Sequence, residues 1–344
     1  MKELVSLKMN KCYPIENSPL YRLRNRRRLA EFLNLPKNYF KEKHIYCYNE
    51  FSRPKPNGDG ERHFTVPPED LKGIQRHICK LFKRIITPEW VMSGKKSCSY
   101  ITNAEVHLEH RFVKTMDISK FYDSAQRSRI YQMFSQTFNM ASDIAWIMTE
   151  LVTYNGTLPT GSPSSQLIIY WTYHSMFQRI NELAEEYNCY FSLYVDDMTF
   201  SSDFPIKAIL RDEVSDVLRK NGLLAKSKKD HYYQVNDFKV VTGVGIKQGK
   251  KVVLNSKRKQ IIELYAKCKK SSNIYQIEKL NGTLCSLRQI EPDIFPEIYR
   301  YVYSYEQELK KLSRDRFYRA KREKGRYLSK HIHNVGINTE QGFD

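Results

Sequence analysis

With 344 residues and 40.8 kDa, the chain exceeds a minimal domain and suits one compact body of two or three subdomains. Its 57 Lys and Arg against 38 Asp and Glu give a formal charge of +19, an excess that repels itself and calls for a polyanionic partner, nucleic acid first among them. Hydrophobic residues at 41% and aromatics at 13% exclude a disordered chain, and the most apolar run, 167–177, is too short and too polar to span a bilayer.

The seven cysteines are odd in number and show no CxxC spacing. They argue against a zinc site or a disulfide framework and fit a reducing cytoplasm. The start, MKELVSLKMNK, lacks the apolar core of a signal peptide.

In chain order, a basic helix is expected over 19–34, capped by Ser18 and carrying five arginines. An apolar stretch over 45–51, the turn RPKPNGDG and residues 62–66 read as a β-hairpin with a long basic loop. Residues 68–86 carry Leu71, Ile74, Ile78, Leu81 and Ile85 on one helical stripe. A strand over 112–118 ends near Asp117, and helices follow to about 138 and over 141–153. Ser162 and Pro163 suit the start of a helix reaching about 186. Strands over 189–195 and 198–202 flank Asp196 and Asp197, a helix covers 206–221, and short strands lie near 231–235, 238–246 and 250–254. The remainder is helical and basic: residues 310–330 hold ten Lys and Arg against two acids, with Tyr318 and Tyr327 interleaved. That composition suits a helix or arm on phosphates with rings free to stack.

FSLYVDDMTF is the most informative segment. Adjacent aspartates between β-prone runs bring like charges together without a glycine to ease the turn, which is costly unless a cation is bound. Asp117 ends another strand. If the two strands are neighbours, three carboxylates converge at one sheet end, a donor set for two Mg²⁺ ions about 4 Å apart.

DISKFYDS, LPTGSPSS, YVDDMTF and GLLAKSKKD, in that order, resemble the successive palm motifs of reverse transcriptases, and KPNGDGERHF resembles their fingers hairpin. The resemblance covers about residues 45–310. Asn103-Ala104-Glu105-Val106-His107 is similar to the NAxxH motif of retron reverse transcriptases, and Val241-Thr242-Gly243 to their VTG motif. The chain thus resembles a bacterial retron reverse transcriptase. Other bacterial reverse transcriptases, or a catalytically silent RNA-binding module, are the alternatives.

The resemblance implies an α+β right-hand polymerase fold. Residues 1–43 would be a basic helical region, 44–110 fingers, 111–254 palm, 255–320 a helical thumb and 321–344 a basic tail. It implies metal binding by Asp117, Asp196 and Asp197 with the Ile118 carbonyl, Mg²⁺ as the ion and Mn²⁺ as a substitute. Lys55, Arg62, Tyr122, Thr160, Gly161 and Lys229 would meet the nucleotide. Tyr122 would exclude a ribose 2′-hydroxyl, and Lys229 or its neighbour Lys228 would act as general acid. Thr160 stands where many relatives carry Gln, and Lys226 where they often carry Asn. Asn103, His107, Thr242, Gly243, Arg314, Arg319 and Arg322 would serve RNA binding. The implied partners are dNTPs, a cognate structured noncoding RNA primed at a 2′-hydroxyl, its DNA product and an effector protein in anti-phage defence.

Overall fold

The computed structural model describes residues 12–42, 44–54 and 60–335. The chain divides into two compact units, Met1–Lys250 and Lys251–Asp344.

In the first unit, α1 (Arg26–Phe32) precedes the hairpin β1 (Asn49–Pro54) and β2 (Glu61–Val66). Helices α2 (Glu69–Phe82) and α3 (Tyr100–Glu105) lead to β3 (Phe112–Asp117). Next come α4 (Phe121–Ser124), α5 (Arg127–Gln132), α6 (Ser142–Val152), α7 (Ser165–Thr172) and α8 (His174–Glu186). Strands β4 (Tyr190–Tyr194) and β5 (Asp197–Ser202) form a tight hairpin, followed by α9 (Ala208–Lys220), β6 (His231–Tyr233), β7 (Lys239–Val241) and β8 (Val244–Lys247), and β9 (Lys250–Val252) begins at the unit's last residue. The central sheet is antiparallel in the order β4-β5-β3-β6. Alternation along the strands puts Met116, Leu193, Met198 and Phe200 on the face that joins the helical core. Asp117, Ser192, Asp197, Thr199 and Ser201 share the opposite face.

The second unit is helical: α10 (Asn255–Ser271), α11 (Ile274–Arg288), α12 (Pro296–Tyr303) and α13 (Glu306–Val335). Ile261, Cys268, Ile277, Leu280, Leu284, Ile298 and Val302 are buried within it. Asn273 caps α11 by accepting from the Tyr275 N–H, and Pro296 opens α12 at the position where a missing N–H costs nothing. The expected tail boundary at 321 falls inside α13, so the basic segment 310–330 is helical. Among the described residues no helix is long and apolar enough to cross a membrane.

Three expected helices differ. The basic helix starts at Arg26, not 19, because Asn25 supplies the cap: its side chain accepts from the N–H groups of Arg27 and Arg28, while Arg22 sits at φ +54°. Ser18 instead accepts from the N–H of Leu20. The stretch after Asp117 breaks at Ala125, since the Arg127 N–H bonds the carbonyl of Gly156 rather than its own helix, and a π-turn covers Met133–Thr137. The helix expected from Ser162 begins at Ser165 and kinks at Tyr173. The Ser162 hydroxyl donates to Gln75, and Thr172 bonds back to the Ile168 carbonyl, a contact that bends helices.

Candidate active site

Asp117 is the last residue of β3 and lies opposite Asp197, the first residue of β5. Tyr194 and Asp197 close the β4–β5 hairpin, leaving Val195-Asp196 as its two-residue turn. Val195 adopts φ +62°, a conformation that a β-branched side chain resists. Surrounding contacts hold it there. The Val195 N–H donates to Ser93 Oγ at 3.2 Å, and along the outer edge of β4 the Leu193 N–H donates to the Trp90 carbonyl while the Leu193 carbonyl accepts from the Met92 N–H. The Ile118 N–H donates to the Asp196 carbonyl at 3.2 Å, tying the turn to β3.

These contacts bring one carboxylate oxygen from each of Asp117, Asp196 and Asp197 within 4.8 Å of one another. Asp117 is 3% exposed, and the other two are half-buried. Burial, together with the charges of Asp117 and Asp197, pushes the Asp196 carboxyl up to about 7. Burial pushes Asp197 up to about 6, with Lys229 opposing and Asp117 reinforcing the rise. Three acids this close repel one another unless positive charge lies between them. Lys229 supplies it: its Nζ donates to Asp117 Oδ1 at 2.8 Å and Asp197 Oδ1 at 3.4 Å. Burial works against the Lys229 charge, yet the bond to Asp117 and the charges of all three acids hold the ammonium above its ordinary pKa. Of the two lysines left open by the sequence, Lys229 is the one that reaches the acids.

The Asp117 carbonyl accepts from the Lys226 N–H, and the Ser119 N–H donates to the Leu224 carbonyl. The Ile118 carbonyl between them lies outside that pairing. Asp230, next to Lys229, is clamped by Lys114 and Arg211. Burial opposes the Asp230 charge, but both cations bring its carboxyl below the usual range. This anchor for the lysine loop was not singled out in the sequence; Lys226, noted there only for standing where relatives often carry Asn, has its Nζ 3.9 Å from Asp117.

A cation fits here. The donors are hard carboxylate oxygens, two of them resist ionisation, and a lysine ammonium already lies among them. That chemistry favours a hard divalent ion over zinc or copper.

Tyr122, five residues beyond Asp117, is half-buried, and its hydroxyl is pushed up to about 12 by burial and the Asp196 charge, with Arg62 pulling the other way. Tyr122, Asp196 and Arg62 are therefore electrostatic neighbours. Arg62 lies directly opposite Arg53 in the β1–β2 register, and each guanidinium lies over a phenylalanine, Arg62 over Phe64 at 5.7 Å and Arg53 over Phe51 at 5.2 Å. Like charges opposite each other destabilise a hairpin, so this exposed pair suits an anionic ligand. Arg53 was hidden in what the sequence offered as turn. Lys55 lies outside the described residues.

Thr160 and Gly161 serve the hairpin. Thr160 Oγ1 accepts from the Thr65 N–H at 3.2 Å and donates to the His63 carbonyl at 3.3 Å, and the Gly161 N–H donates to the Thr65 carbonyl at 2.9 Å. A Cβ on Gly161 would meet Val66 Cγ2 at 2.7 Å and the Thr65 carbonyl at 2.8 Å. The glycine is needed for the close approach of β2.

The remaining candidates lie on other elements. His107 and Asn103 are fully buried, His107 between Ser192 and Ser201, Asn103 against Thr242. Thr242-Gly243 form the two-residue turn between β7 and β8, both at positive φ. Arg314, Arg319 and Arg322 are exposed on α13 in the second unit.

Residues 53–261 match the family model for reverse transcriptase (RNA-dependent DNA polymerase). The chain is 28% identical over 238 residues to the retron Se72 reverse transcriptase of Salmonella heidelberg (strain 579083-10), a match covering 65% of this chain and 61% of that protein. It is 25% identical over 245 residues to the retron Ec86 reverse transcriptase of Escherichia coli, covering 70% and 75% respectively. The match to the Se72 protein thus spans less than two thirds of that relative's length. Among solved structures, a foamy viral protease-reverse transcriptase in complex with ds DNA gives a TM-score of 0.45 at 16% identity, over 77% of this chain and 40% of that one. With the family model covering more than half of its length, the chain belongs to the reverse transcriptase (RNA-dependent DNA polymerase) family, and within it is similar to bacterial retron reverse transcriptases.

Proposed function

We propose that this chain is a retron-type RNA-directed DNA polymerase, which copies part of a cognate structured noncoding RNA into single-stranded DNA from a 2′-hydroxyl primer. The observation that carries the reading is the convergence of Asp117, Asp196 and Asp197 around a lysine ammonium at one end of an antiparallel sheet. Membership of the reverse transcriptase family and the similarity to retron enzymes support it. In this reading residues 44–110 act as fingers, 111–254 as palm and 255–320 as thumb, with 1–43 and 321–344 as basic flanks.

Asp117, Asp196 and Asp197, with the Ile118 carbonyl, hold Mg²⁺, for which Mn²⁺ can substitute. The chemistry such ions would supply there is acidification of the attacking hydroxyl and neutralisation of the leaving pyrophosphate. Arg62 and Lys55, with Arg53 beside them, receive the triphosphate through forked and point-charge contacts. Tyr122 lies under the sugar and leaves no room for a 2′-hydroxyl. Thr160 and Gly161 set the position of the fingers hairpin. Lys229 delivers a proton to the departing pyrophosphate. Arg314, Arg319 and Arg322 grip RNA phosphates, and an effector encoded at the same locus completes an anti-phage system.

The test is the nucleic acid that co-purifies when the protein is expressed with its native flanking DNA, treated with RNase, DNase and a 2′–5′ debranching enzyme. A branched RNA–DNA species is expected from the wild type and not from the Asp196→Asn/Asp197→Asn variant. Unbranched DNA from the wild type would make it a reverse transcriptase of another kind, and RNA alone from both would make it a binding module.

A further inference from the structure

His107 has no exposed surface, yet it lies within a polar arrangement. Its Nε2 is 2.7 Å from Ser192 Oγ on β4, and its Nδ1 is 2.7 Å from Ser201 Oγ on β5. Ser192 stands opposite Thr199, and Ser201 opposite Tyr190, so the ring spans the two strands of the catalytic hairpin on the face that bears Asp117 and Asp197. Burial, with His110 nearby, pulls the imidazole down to about 3, so the ring is neutral at any working pH. A neutral ring donates from one nitrogen and accepts at the other, so one serine donates to it and the other accepts.

Four residues earlier, Asn103 reaches a different hairpin. Its Nδ2 donates to Thr242 Oγ1 at 3.4 Å, and that hydroxyl donates to the Tyr100 carbonyl at 2.7 Å. Thr242 adopts φ +45° in a two-residue turn. Such a turn favours Asn-Gly and disfavours a β-branched residue. A strained residue persists when its surroundings over-determine it, and here the hydroxyl does so by bonding twice to one short helix. That helix is rigid at its start, where Ser99 and Thr102 form a reciprocal capping box. It touches both β4 and β8.

We infer that Asn103 and His107 are positioning residues, which fix the aspartate-bearing β4–β5 hairpin relative to the β7–β8 hairpin through α3 and the turn that follows it, and that they do not touch nucleic acid. The inference rests on the polymerase reading above. It gives two separated sequence motifs, NAxxH and VTG, one physical purpose: both hairpins are referred to one short segment, α3 and its following turn, so the carboxylates keep a set distance from whatever lies against the Thr242-Gly243 turn. A displacement of about 1 Å in such a site costs as much as a hundredfold in rate.

The experiment uses the full chain with an RNA template annealed to a DNA primer, dNTPs and Mg²⁺. It compares wild type with His107→Phe, His107→Gln and the triple variant His107→Phe/Ser192→Ala/Ser201→Ala. His107→Phe strands two buried hydroxyls and loses stability. The triple variant removes every polar partner and regains the wild-type melting temperature. Both lower kcat by about tenfold to a hundredfold, with Kd for primer–template and KM for dNTP within about threefold of wild type. His107→Gln, which keeps one donor and one acceptor, recovers part of the loss. Full kcat in the triple variant would reduce the ring to packing and overturn the inference. A tenfold or greater rise in Kd with kcat intact would make these residues nucleic-acid contacts and overturn it equally. A wild-type chain that binds primer–template but never extends it contradicts the polymerase reading itself.

Discussion

The Lys229 ammonium lies 2.8 Å from an Asp117 carboxylate oxygen and 3.4 Å from one of Asp197. With a cation held by these acids, Lys229 would no longer be needed as their counter-charge and would be free to serve the proposed proton transfer to pyrophosphate. Lys229→Ala is therefore expected to lower kcat by about a hundredfold, the scale of a lost general acid. It should also flatten the alkaline limb of the rate profile and lower the Mg²⁺ concentration at half-activity. Steady-state rates against pH and Mg²⁺ check both, and an unchanged profile would remove Lys229 from proton transfer.

The raised carboxyls make the site sensitive to pH. Asp196 and Asp197 titrate at about 7 and about 6 in the fold, against about 4 in an unfolded chain. A carboxyl with a raised folded pKa favours folding while protonated. That contribution is complete below about pH 4 and is lost as pH rises through 6 and 7. The metal-free protein should melt at progressively lower temperature from about pH 5 to pH 8, and Mg²⁺ should restore most of the difference at the alkaline end. Melting curves in chelator and in Mg²⁺ check this, and parallel pH dependence in the two would count against it.

Gly161 faces the backbone of β2. Gly161→Ala drives a methyl against the Val66 side chain and the Thr65 carbonyl, and the hairpin carrying Arg53 and Arg62 must shift. Overpacking of this kind costs about 1–3 kcal/mol. KM for dNTP should rise about tenfold, with primer–template affinity nearly unchanged. Kinetics with varied dNTP check it.

Tyr122 is an electrostatic neighbour of both Asp196 and Arg62. With Tyr122 in the proposed role of excluding a 2′-hydroxyl, Tyr122→Val should lower discrimination between dNTP and rNTP by about tenfold or more. Competing incorporation on one template measures the ratio. Unaltered discrimination would make Tyr122 a core residue.

The carboxylate cluster was legible where its signal is local. Asp196 and Asp197 stand out because adjacent acids between β-prone runs need a counter-charge, and Asp117 stands out because it ends a strand. The basic C-terminal segment was legible from composition. What depends on distant partners was not. His107 is bonded to serines 85 and 94 residues away, so its burial has no local sign. Thr160 spends its hydroxyl on backbone groups of His63 and Thr65, almost a hundred residues earlier, which motif position alone does not reveal. The helix expected over 19–34 failed because a cap at Asn25 competes with one at Ser18, and tertiary contacts choose between them.

The most direct measurement is incorporation of labelled dNTP on a DNA-primed RNA template in Mg²⁺ by the wild type and by Asp117→Asn, with primer–template affinity measured on both. The account predicts extension by the wild type and a loss of about a thousandfold or more in the variant, at equal affinity for the nucleic acid. Extension that survives Asp117→Asn, or a folded wild type that binds the hybrid and adds no nucleotide, would contradict it.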